Sequence, residues 1–129
     1  MIVTLTLSAT FANDFKYIKK ITLKKDEQKK ILVKYGVYKR LFKFRWTLYK
    51  NGGLVIHRSY DRIVGQNILY LRHHNQSFRF ELKPRGADAY NVPYILVKFK
   101  KFDFEKKEAL FELFLSDDKN QIELEYLKK

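Results

Sequence analysis

Apolar and polar side chains alternate along most of this chain with a period of two, the spacing at which a strand turns one face inward and the other outward. Between Phe15 and Leu23, the set Tyr17, Lys19, Ile21, Leu23 alternates with Lys16, Ile18, Lys20, Thr22, an imperfect strand with a strongly basic side. Lys24-Lys25-Asp26-Glu27 reads as a turn, and Lys29–Tyr35 as a second strand with Ile31 and Val33 in phase, broken by Gly36. A hairpin runs from Val37 to about Ile63. Gly65-Gln66-Asn67 reads as the next turn, and Ile68–Arg72 with Ser77–Lys83 as a second hairpin around His73-His74-Asn75-Gln76. Pro84 and Gly86 forbid regular pairing in the irregular stretch Pro84–Pro93. In Tyr94–Phe104 the residues Ile95, Val97 and Phe99 keep one parity while Phe102 and Phe104 take the other, so a β-bulge near Lys100-Lys101 is expected. Ala109, Phe111, Leu113 and Leu115 align in a further strand, and Ile122, Leu124 and Tyr126 in a last one. Glu and Lys within Glu105–Leu115 favour helix, but its apolar positions fit period two better than about 3.6. The expected fold is all-β: a single antiparallel domain over residues 13–129 with about eight to nine strands, a β-sandwich or an up-and-down barrel.

The segment Arg40–Arg62 carries the clearest local instruction. Two apolar-rich runs flank Asn51-Gly52-Gly53. A two-residue Asn-Gly turn sets Trp46 opposite His57 and Leu48 opposite Val55. A three-residue turn with Gly53 left-handed sets Leu48 opposite Ile56, Phe44 opposite Tyr60, Lys43 opposite Asp61 and Arg45 opposite Ser59. A slip of one residue exchanges the faces of a strand, so the two registers compete. The three-residue loop separates apolar from polar side chains better and is the expected one.

Composition narrows the function classes. The 129 residues hold 46% hydrophobic and 16% aromatic side chains with five glycines, a globular rather than a disordered balance. The net charge of +13 is uneven: residues 15–85 carry 19 Lys/Arg against 4 Asp/Glu, and residues 86–129 carry 8 against 9. Such a field favours polyanions, although a lysine-rich composition also serves solubility. The absence of cysteine excludes disulfides, thiolate metal sites and a cysteine nucleophile. Residues 1–12 read as a truncated export signal, with an apolar run from Ile2 to Leu7 and a cut after Ala12, but without the positively charged start such signals have. They also read as a first strand, with Val3, Leu5 and Leu7 alternating with Thr4, Thr6 and Ser8. No run approaches the ~18 apolar residues of a membrane span.

No nucleophile elbow, glycine-rich phosphate loop or HExxH helix is present, so a non-enzymatic role is expected. No cofactor is implied. His73-His74 with His57 could be taken for a metal site, but neighbouring strand residues point to opposite faces, and a polar hairpin tip explains the pair. Lys43, Arg45, Tyr49 and His57, together with Arg72 and Arg79, form the candidate anion-binding face, in which cations would take phosphates and aromatics would stack. Tyr90 and Tyr94 could line the mouth of a barrel, as loop anchors or around a small ligand. The principal expectation is a small exported β-protein of a bacterial envelope that contacts an anionic envelope component or an acidic protein. A cytoplasmic nucleic-acid-binding β-barrel and a lipocalin-like small-ligand carrier are the alternatives.

Overall fold

The computed structural model describes residues 16–72, 74–84, 92–118 and 121–127. These form nine strands: β1 (Lys16–Lys24), β2 (Lys29–Tyr35), β3 (Tyr38–Lys50), β4 (Gly53–Tyr60), β5 (Ile63–Tyr70), β6 (Ser77–Glu81), β7 (Tyr94–Asp103), β8 (Glu108–Ser116) and β9 (Glu123–Leu127). They build two antiparallel sheets, one in the order β1-β8-β7-β6 and one in the order β5-β4-β3-β2-β9, packed as an unclosed sandwich. The segment Glu105–Leu115 is turn and strand, and its alternation is complete: Ala109, Phe111, Leu113 and Leu115 are buried and the residues between them are not. Residues 1–12, His73, Tyr90 and most of the Pro84–Pro93 stretch lie outside the described residues.

Alternation places one face of every strand in a common interior. Its centre is a set of rings bridging the two sheets. Phe42 of β3 stacks on Phe80 of β6 at 4.1 Å, and Phe44 meets Phe111 of β8 edge-on at 5.4 Å. Such pairs add about 0.5–1.5 kcal/mol each beyond the area they bury. Trp46 is buried, and its indole Nε1 donates to the Leu23 carbonyl at 2.8 Å, tying β3 to β1 across the interior. At the opposite end the Tyr60 hydroxyl donates to the Leu82 carbonyl at 2.6 Å, and burial pushes the Tyr60 phenol well above its usual range. Asp117, a buried carboxylate, accepts from the Gln121 and Ile122 amides at 3.0 and 2.8 Å and so shapes the link from β8 to β9.

The central hairpin corrects the expected three-residue turn. Asn51 and Gly52 both take positive φ (54° and 80°), as a two-residue type I′ turn requires, with Lys50 opposite Gly53. Leu48 then faces Val55, and a bulge between Trp46 and Leu48 restores Trp46 to Ile56, Arg45 to His57 and Lys43 to Ser59. The extra residue puts the body in a third register, in which none of the pairs expected from the three-residue turn forms but Phe44, Trp46 and Ile56 stay on the dry face, while the two-residue turn holds the tip. A second shift between Phe99 and Lys101 in β7 performs the bulge expected at Lys100-Lys101.

The expected hairpin of Ile68–Arg72 with Ser77–Lys83 does not form. Instead β5 begins at Ile63 and pairs with β4, while β6 pairs with β7 in the other sheet. Gly65-Gln66-Asn67, read as a turn, lies inside β5. The physical reason is Arg58, an inward-phased residue of β4. Its Nε donates to Asn67 Oδ1 at 2.6 Å, its guanidinium lies over the Phe78 ring, and a Cβ on Gly65 would come within 2.9 Å of its Cζ. Glycine leaves room for the guanidinium here, and asparagine is its partly buried polar partner.

Candidate anion-binding face

On the outer side of the five-stranded sheet, the polar parity of β2 and β3 brings lysines together. Ile31 and Val33 point inward, so Lys30 and Lys34 point outward; Phe42 and Phe44 point inward, so Lys39, Lys43 and Arg45 point outward. The register then sets Lys30 directly opposite Lys43 and Lys34 directly opposite Lys39. Like charges in directly opposed positions destabilise a sheet by a few tenths to ~1 kcal/mol per pair. Beyond the bulge Lys50 joins the same face. The carboxylates there are Glu123 and Glu125 of the edge strand β9, and Lys34 meets Glu125 at 2.9 Å, which raises the Lys34 ammonium above its ordinary value. Arg45 approaches Asp26 only to 4.0 Å, with both side chains well exposed. Lys30 and Lys43 therefore form the middle of the patch, flanked by Leu32 and Leu41 on one side and by Arg45 and His57 on the other.

The six residues singled out from the sequence divide. Lys43, Arg45 and His57 share this face, Arg45 and His57 as direct cross-strand neighbours. Tyr49 does not: the bulge at Thr47 reverses its parity, and its ring packs inward against Phe102 at 4.2 Å. Arg72 sits after β5, exposed in the turn that carries the chain to the other sheet, with φ at 57°. Arg79 is on the outer side of the four-stranded sheet, with its guanidinium over the Tyr94 ring at 4.8 Å. Lys30, Lys34, Lys39 and Lys50 were missed. The first two were legible as the polar phase of β2, but their place beside Lys43 depends on strand pairing.

Among the described residues no three His, Asp or Glu side chains come together as a metal site. Among the same residues no helix is long and apolar enough to cross a membrane. No family model, curated protein or solved structure matches the chain.

Proposed function

We propose that the protein is a non-enzymatic binding module that engages an anionic surface of the cell envelope, such as phosphorylated headgroups or acidic glycan, through the outer face of its five-stranded sheet. The opposition of Lys30 to Lys43 and of Lys34 to Lys39 carries this reading. Glu125 already relieves Lys34, so the pair Lys30–Lys43 is the main cost in the free protein that an anionic partner removes on binding. Lysine suits a diffuse anionic surface, because an ammonium acts as a point charge without demanding a fixed geometry. The envelope setting draws its support from the signal-like pattern of residues 1–12.

A nucleic-acid partner is supported less. Tyr49, the aromatic expected to stack bases, points into the interior, leaving phosphate contacts as the main offer of this face. The carrier reading loses support from the ring-filled interior, which occupies the space an enclosed ligand would need.

The test is retention on vesicles of anionic lipid and on an acidic polysaccharide as salt is raised. Lys43→Glu with Arg45→Glu is expected to weaken binding by about tenfold or more at low salt, with folding intact. Unchanged binding by that variant discards the face. Tighter retention on single-stranded DNA than on either envelope ligand favours the nucleic-acid reading instead.

A further inference from the structure

The bulges of β3 and β7 have a joint consequence at one end of the sandwich. Each shifts its strand by one residue shortly before the strand ends, one in β3 and one in β7, on opposite sheets. The shift in β3 turns Tyr49 inward, and the shift in β7 turns Phe102 inward, so that the rings stack at 4.2 Å with an interplanar angle of 23°. Trp46 meets Phe102 edge-on at 5.5 Å, closing the back of a cleft. Bulges recur beside binding sites because they re-aim side chains in this way.

This end is not simply more core. Phe104 is 71% exposed and Leu48 48% exposed, although Phe104 lies beside both Phe102 (5.1 Å) and Tyr49 (5.8 Å). Asp103 shapes the adjoining turn by accepting from the Glu105 and Lys106 amides at 3.0 and 3.1 Å, and Lys107 follows with φ at 53°. The cleft has a volume of about 320 Å³, with Lys107 and Lys25 at its rim and no carboxylate in its lining. That size is at the lower end of the roughly 300–1,000 Å³ of small-molecule sites.

We infer that this cleft binds a small organic anion with a flat apolar body, the ring lying against Tyr49, Phe102 and Phe104 and the anionic group between Lys25 and Lys107. Concavity favours a discrete molecule over a bilayer, and the all-cationic rim selects negative charge. The site shares no cation with the basic sheet face, so either one stands if the other fails.

Trp46 is the only tryptophan and forms the back wall, which makes its emission a local reporter. Heavy-atom quenching by 4-iodobenzoate should be saturable, whereas 4-iodobenzylammonium, of similar ring and opposite charge, should quench far less. Lys25→Glu with Lys107→Glu is expected to weaken the benzoate by about tenfold, and Phe104→Ala should weaken it as well. All three positions are exposed, so unchanged melting of the variants is the check on folding. Lys43→Glu with Arg45→Glu should leave the quenching curve in place. Equal quenching by both iodinated probes, an unsaturable curve, or an unaffected lysine double variant would overturn the site. So would quenching seen only with vesicles of brominated anionic lipid.

Discussion

On the outer side of the four-stranded sheet, Glu112 lies in register with Lys20 on one neighbouring strand and Lys98 on the other, and Glu108 lies opposite Lys24. Glu112 also meets Lys100 at 3.5 Å. On the outer side of the five-stranded sheet, Lys30 faces Lys43 and Lys34 faces Lys39. The interiors of the two sheets are built alike, from alternating Phe, Leu, Ile and Val. A lysine-rich composition that served solubility alone would gain nothing from opposing its cations in register, since dispersed charges of both signs do that work better. The four-stranded sheet has one like-charge pair of its own, Asp103 opposite Glu108, but Asp103 is engaged with two backbone amides of the adjoining turn. On the five-stranded sheet Glu125 relieves Lys34 in the same way, which leaves Lys30 opposite Lys43 as the like-charge pair that distinguishes its face.

The largest effects should fall where the sheets are alike. Phe44→Ala and Phe111→Ala remove partners of one edge-on contact, both fully buried, and each should cost about 3–5 kcal/mol in urea unfolding. The double variant should cost less than the sum, because the residues share a contact. Additive losses would mean that the two sheets do not pack through this pair.

On the outer faces the signs should part. Glu112→Lys should lower stability by about 1 kcal/mol, since it turns two cross-strand attractions into repulsions. Lys43→Glu should raise stability by a few tenths of a kcal/mol, by giving Lys30 an opposite charge, while weakening anion binding. If both substitutions destabilise, the opposition of Lys30 and Lys43 carries no strain and the contrast between the faces collapses.

The smallest effect concerns the seam between β1 and β9, where Lys19 and Lys29 approach one Tyr126 ring at 4.6 and 5.7 Å. Burial first, and the charge of Lys19 second, lower the Lys29 ammonium from its ordinary value of 10.5. In the window between the lowered value and 10.5 the unfolded chain binds more protons, so stability should rise with pH there. Lys29→Met should therefore be slightly more stable than the parent at neutral pH, with the difference vanishing as pH climbs through that window. A difference independent of pH would assign the effect to packing alone.

Strand identity was legible where alternation was clean. Ile31 and Val33, Phe78 and Phe80, and Ala109 to Leu115 occupy the interior that their spacing implied. The β7 bulge was legible too, because Phe99 and Phe102 could share a face only through one. The partnership of β5 was not, because Gly65 and Asn67 have the composition of a turn. Their role is set by Arg58, a residue of the neighbouring strand whose reach is a matter of pairing. The candidate face was legible in part: Lys43, Arg45 and His57 share one face of the sheet, while Tyr49, Arg72 and Arg79 lie elsewhere.

Period-two patterning and turn chemistry by themselves determined the all-β antiparallel class and the inward set of rings, because burial of alternate side chains depends only on their spacing along each strand. The Asn51-Gly52 turn has the local chemistry that accepts positive φ at both positions, but face sorting along the strands pointed to a three-residue loop, and the bulge that removes that conflict is not local. What only the tertiary structure decided is the direction of Tyr49 and the opposition of Lys30 to Lys43. The first depends on a bulge whose energy is recovered in contacts with Phe99 and Phe102 of the other sheet, the second on a register between strands. Both are sums over residues distant in the chain, and no local pattern contains them.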